Sequence, residues 1–158
     1  MDVISLFSYR NIESFILTKH EVLGYRVYKY FARRHVAPFL SLFADGREEG
    51  KIWLVSVDED ASGGYSHTAV LSHFSRSEGI EPLHGSLISR SGVKYAGMSL
   101  SYRLAHPRDF VYRGPSGIDA ILIDDIVTTG LTLQEAGATL ASGGVNVLFA
   151  LTLADASR

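Results

Sequence analysis

The sequence predicts an α/β fold, a mostly parallel sheet flanked by helices. Three observations carry that prediction. Short apolar segments of strand character alternate with segments of helical periodicity along the whole chain. At 158 residues the chain fits a single domain spanning 1–158. Around residue 123 a buried strand runs into two acids, a Thr/Gly turn and a helix, which is where open α/β sheets hold their ligands.

The elements follow in order. Residues 3–9 (VISLFSY) mix β-branched and aromatic side chains and read as a strand. From Arg10 to Arg34 apolar residues recur at helical spacing, giving one long helix or two, with Gly24 as the candidate break. Ala44 to Gly50 reads as a polar loop. Ile52 to Val57 is a buried strand that ends in the acids Asp58, Glu59 and Asp60. A loop at Ser62-Gly63-Gly64 precedes a helix from Ser66 to Phe74. Residues 80–113 read as a small hood: a strand near Leu87-Ile88, a helix over Ser99 to His106 and a strand over Phe110 to Tyr112, with Gly92 and Gly97 pointing to mobility. Ala120 to Ile123 is a strand. Leu131 to Ser142 is a helix, with Thr132 and Glu135 as a capping box and Gly143-Gly144 as the stop. Val145 to Leu153 is the last strand.

Composition narrows the function classes. With 46% hydrophobic and 20% charged residues, disordered, collagen-like and coiled-coil chains are excluded. A net charge of -2 offers no global attraction for nucleic acid. The absence of cysteine removes disulfides, thiolate nucleophiles and Cys-rich zinc modules, and suits a reducing, cytoplasmic setting. No apolar run approaches the ~20 residues that span a bilayer, so no membrane insertion is expected. The six histidines form neither H-E-x-x-H nor an i, i+4 pair, so no protein-held metal is expected.

Residues 121–133 (ILIDDIVTTGLTL) carry the chemistry. Asp124 and Asp125 close the strand. Carboxylates are good acceptors for sugar hydroxyls, and a free helix N-terminus suits a phosphate. Thr128, Thr129 and Thr132 add hydroxyl donors, Leu131 opens the helix, and Gly130 lets backbone approach a ligand. The layout fits a phosphorylated ribose, with its 5′-phosphate on Thr128–Thr132 and its diol on the aspartates. A P-loop ATPase is excluded, because the only Gly-Lys pair, Gly50-Lys51, is followed by Ile52. Gly64-Tyr65-Ser66-His67-Thr68 misses the G-x-S-x-G hydrolase elbow at its last position.

The 121–133 segment resembles the 5-phosphoribosyl-1-pyrophosphate (PRPP) signature of type I phosphoribosyltransferases. Other pieces resemble the ComF (competence) family with that fold: Lys19 after the first strand and helix, Gly63-Gly64-Tyr65-Ser66-His67, Ser99 to Arg103 with Phe110, and Leu151 to Ala154. The family's Arg is Gly63 here, its Asn-Gln pair is Ser66-His67, and an Asn after Arg103 is missing. Members commonly begin with a four-cysteine zinc ribbon, which this sequence does not carry. Either the protein lacks that module or it has been trimmed, and the second reading is preferred.

The resemblance implies a transferase that displaces pyrophosphate from PRPP, with Mg²⁺ held mainly through PRPP itself. Asp124 and Asp125 would be the catalytic pair. Val57 and Asp58 occupy the family's pyrophosphate-loop position, and Arg90 and Lys94 would close over the pyrophosphate. Purine-salvage members have an Asp where this chain has Thr128, so 6-oxopurine salvage is not expected. The resemblance also implies DNA uptake in natural transformation, with single-stranded DNA or a competence helicase as partner.

Charge is distributed unevenly. Residues 19–35 hold Lys19, Arg26, Lys29, Arg33 and Arg34 against Glu21 alone, interleaved with Tyr25, Tyr28, Tyr30 and Phe31. Cations with rings suit a single-strand binder. The preferred reading is an amphipathic helix with buried rings and a solvated basic face.

Overall fold

The computed structural model describes residues 1–45, 50–57, 65–91 and 99–157. A five-stranded parallel sheet forms the centre. In chain order its strands are β1 (Val3–Ser8), β2 (Ile52–Ser56), β3 (Ile80–Pro82), β6 (Asp119–Val127) and β7 (Asn146–Asp155). Across the sheet the order is β1-β7-β6-β2-β3, and every neighbouring pair is parallel. The expected class, a parallel sheet flanked by helices, is the one observed.

Helices α1 (Tyr9–Ile16), α2 (Val22–Phe31), α3 (Ala37–Asp45) and α4 (His67–Phe74) supply one face. Their Ile12, Ile16, Tyr28, Leu40 and Leu71 pack on Leu54, Ile121, Ile123 and Leu151. Helix α6 (Leu131–Ser142) covers the other face with the antiparallel pair β4 (Leu87–Ser89) and β5 (Phe110–Tyr112). There Leu133, Ala136 and Leu140 pack on Val55, Ala120 and Leu122. Burial on both faces explains why the central strands read as continuous apolar runs. Truncating a fully buried residue such as Leu122 to Ala should cost about 2–5 kcal/mol.

The structure departs from the sequence reading in several places. The helical region does not break at Gly24, which is buried inside α2. It breaks earlier, where a 3₁₀ turn (Leu17–His20) meets the extended Glu21. It also does not stop at Arg34. A π turn over Ala32–Val36, with Ala37 N–H bonded to the Ala32 carbonyl, joins α2 to α3. Ala44 and Asp45 therefore belong to a helix. Residues 80–82, placed in the hood by sequence with no strand expected there, form β3 and pair with β2 at the sheet edge, where Pro82 is tolerated.

The Thr132–Glu135 capping box does not form. The N-cap of α6 is Gly130, with φ +75° and no side-chain cap. Thr132 is already inside the helix. The Glu135 carboxylate instead accepts from the N–H groups of Arg108 and Asp109, at 3.0 and 2.8 Å. Asp109 is the one non-glycine residue at positive φ (51°) among the described residues, so α6 holds a strained turn in place. Helix α5 (Leu100–Ala105) lies where the sequence placed a helix over Ser99 to His106, and the Ser99 side chain caps its start.

Candidate functional site

Strand β6 brings its two aspartates to the carboxyl edge of the sheet. Strand side chains alternate in direction. Ile121 and Ile123 lie on the α1–α4 face, and Ala120 and Leu122 lie on the α6 face. Asp125 continues the first series and Asp124 the second. The adjacent carboxylates thus belong to opposite layers.

Asp125 is buried, only 6% exposed, and bound on three sides. Its Oδ2 accepts from Lys19 Nζ at 3.1 Å and from the Tyr28 hydroxyl at 3.2 Å, and His67 Nε2 lies 3.4 Å away. These partners come from the turn after α1, from α2 and from the first residue of α4. Burial alone would raise the Asp125 carboxyl, but the charges of His67 and Lys19 outweigh it and hold the group below the usual carboxylate range. The Tyr28 phenol is pushed far up by burial and by Asp125, so it remains a donor. Asp125 is thus built into the core on the α1–α4 side rather than standing open at the sheet edge. Asp125 is a structural anchor, and Lys19 is its cation.

Asp124 has a different environment. Its Oδ1 accepts the Asp125 N–H at 2.8 Å. Burial, followed by the neighbouring Asp125 charge, raises its carboxyl well above the ordinary value. The first two residues after the strand, Thr128 and Thr129, are exposed. A Cβ built on Gly130 meets nothing within 4 Å, so open space lies over the start of α6. Leu131 and Thr132 form the first turn of that twelve-residue helix. The sequence-predicted phosphate segment is thus assembled as a strand end, an exposed turn and an uncapped helix start.

The other expected site residues divide. Val57 is buried at the end of β2, and its N–H donates to the Ile123 carbonyl. Asp58 and Lys94 lie outside the described residues, as do Glu59, Asp60, Ser62 to Gly64, Gly92 and Gly97. Arg90 is exposed at the end of β4, its N–H bonded to the Asp109 carbonyl.

Of the candidate nucleic-acid cations, Lys19 is held by Asp125. Lys29 and Arg33 lie 4.7 and 5.0 Å from the centre of the Phe74 ring. Arg26 and Arg34 are exposed. Tyr28 and Phe31 are in the core, so the interleaved rings serve packing at those positions. Tyr28 and His67 are site residues that sequence reasoning missed. His67 was visible only as a departure from the family's segment, and nothing local marks Tyr28.

No group of three His, Cys, Asp or Glu side chains able to hold a metal is found among the described residues. Among them, no helix is long and apolar enough to cross a membrane.

No family model matches this chain, and no curated protein matches its sequence. Several solved structures are similar to it. UMP synthase from Leishmania donovani shares 19% identity at a TM-score of 0.43, over 82% of this chain and 22% of that one. A phosphoribosyltransferase from Corynebacterium diphtheriae shares 14% at 0.47, over 93% and 69%. Adenine phosphoribosyltransferase from Saccharomyces cerevisiae, complexed with an imino-altritol bisphosphate and adenine, shares 17% at 0.45, over 84% and 70%. This chain spans only about a fifth of the UMP synthase length. At such low identity and overlap, the likeness says nothing of substrate.

Proposed function

We propose that this chain binds PRPP at the carboxyl edge of its sheet and acts as a phosphoribosyltransferase. The observation that supports this reading best is the join of β6 to α6: Asp124, the exposed Thr128 and Thr129, Gly130 in the left-handed conformation, and a helix start with no side-chain cap. The uncapped N-terminus suits the 5′-phosphate. The Asp124 carboxylate suits the ribose diol. In the transfer, the bond from C1 to the pyrophosphate oxygen breaks, its electron pair leaves with pyrophosphate, and the acceptor's lone pair forms the new bond. Asp124, ionised, stabilises positive charge on the ribose ring. Asp125 acts through Lys19, Tyr28 and His67 as a positioning residue.

One carboxylate at the strand end fits Mg²⁺, which keeps several waters and is usually bound through substrate phosphates. When bound, the ion would neutralise charge on the departing pyrophosphate. Arg90 and Lys94 remain proposals for contacts to that group.

Calorimetry with PRPP in Mg²⁺ buffer tests the reading. The parent protein should bind. Asp124→Asn should weaken binding roughly ten- to hundredfold, the value of a hydrogen bond to a charged group. Because burial raises the Asp124 carboxyl, the ionised acceptor is depleted at low pH, and affinity should climb as pH rises through that value. The Asn variant should lose that part of the climb. A parent protein that shows no heat with PRPP overturns the proposal.

The finer assignment rests on the sequence resemblance: a cytoplasmic competence protein of the ComF type, with single-stranded DNA or a competence helicase as partner. Arg26 and Arg34 are the exposed cations left to serve it.

A further inference from the structure

Helix α4 begins at His67, beside Asp125, and carries His73 roughly 9 Å further along its axis. Two clefts meet there. One, of about 590 Å³, is walled by His73, Arg76, Ser77, Glu81 and His84. The other, of about 420 Å³, shares His73 and His84 and is otherwise walled by Tyr25, Tyr65, Val70 and Phe74. The first is basic. The His73 and His84 rings stack at 5.7 Å with Arg76 beside them. Glu81, the acid in the wall, is drawn off by Lys51 at 2.6 Å. The Ser77 hydroxyl is buried without a partner at the cleft wall. The second cleft is aromatic. Tyr25 meets Tyr65 and Phe74 edge-on at 6.0 and 6.1 Å, and Lys29 and Arg33 sit over Phe74.

His73, His84 and Arg76 converge on one opening, with the His73 ring held between Phe74 and His84. We infer that this double cleft is a second ligand site, for a phosphate monoester carrying a planar ring, the chemistry of a nucleoside monophosphate. The phosphate lies against His73, His84, Arg76 and Ser77, and the ring lies against the wall that Tyr25, Tyr65 and Phe74 form. The C-terminal dipole of α4 weakly opposes an anion here, and Arg76, joined by His73 once it takes up a proton, offsets it. Burial, then His84 and Arg76, hold His73 below its usual value. A bound dianion reverses that balance, so binding takes up a proton and tightens as pH falls.

The test follows the His73 and His84 ring protons by NMR while adenosine 5′-monophosphate, adenosine or inorganic phosphate is added at pH 6.5. The monophosphate should move both residues and bind at least tenfold more tightly than either fragment. Its affinity should fall from pH 6 to pH 8. Arg76→Ala, at an exposed position, should weaken it at least tenfold, whereas Asp124→Asn should leave it unchanged. Still His73 and His84 resonances overturn the inference. So does inorganic phosphate binding as tightly as the monophosphate, or loss of the response in Asp124→Asn, which would place the ligand at the β6–α6 join.

Discussion

Asp125→Ala is expected to melt roughly 5–15 °C below the parent protein, from a loss of about 2–4 kcal/mol. The side chain is small and polar, at a strand end, where substitution is often mild. Here it accepts from the buried Tyr28 hydroxyl, the one acceptor for that group among the described residues, and it also holds Lys19 and His67. Removing it leaves a buried donor unpaired. Lys19, about a quarter exposed, regains water and softens the loss. The acid limb of the stability curve carries the same information. A carboxyl whose folded value lies below its unfolded value of ~3.9 stabilises above that pH, and the contribution fades as pH falls through the lower folded value. The gap between parent and variant should therefore narrow in acid. A variant melting within about 2 °C of the parent would remove Asp125 from its role as anchor.

Gly24→Ala should destabilise by about 1–3 kcal/mol, although replacing glycine inside a helix ordinarily gains about 1 kcal/mol. A Cβ at Gly24 would overlap the Thr18 carbonyl oxygen and the Tyr65 hydroxyl. Neither can simply swing away. Thr18 belongs to the tight turn before α2, and Tyr65 bonds the Lys19 and Glu21 carbonyls at 2.8 and 3.2 Å. The displaced turn carries Lys19, so the Asp125 contacts should loosen with it. Gly137→Ala in α6 is the matched control, because its Cβ would meet only the flexible Met1 side chain at 3.2 Å. Thermal melts of the two variants should diverge in sign. A Gly24→Ala protein as stable as Gly137→Ala would contradict the close approach.

Much of this architecture is legible in residue order. The strands with both faces covered announce themselves as apolar runs, and the bounds of α6 match its sequence pattern. What escapes is what depends on contacts distant in sequence. Three-residue β3 has no periodicity to read and owes its existence to pairing with β2. Glu135 has the spacing of a cap, yet its carboxylate is claimed by Arg108 and Asp109, 27 and 26 residues away. The pair at 124–125 reads as one acidic unit, and only the alternation of a paired strand separates them. Lys19, Tyr28 and His67 converge on Asp125 from three elements, and no spacing foretells it.

The π turn has a consequence for the reading frame of the helical segment. Gly24, Tyr28, Ala32, Val36 and Leu40 are all buried, a stripe with a period of four. On an undistorted α-helix such a stripe drifts about 40° per step and would wind off the core within a few turns. The wide turn at Ala32–Val36 takes up much of that drift in one place. From Tyr28 to Leu40 is twelve positions, and eleven is close to three whole turns of α-helix. Removing one residue inside Ala32–Val36 would thus let the rod close up as continuous α-helix with both anchors still facing the sheet, whereas adding one would rotate Leu40 toward water. The segment is lopsided toward length change: one codon shorter is a conformation it can absorb, and one codon longer is not.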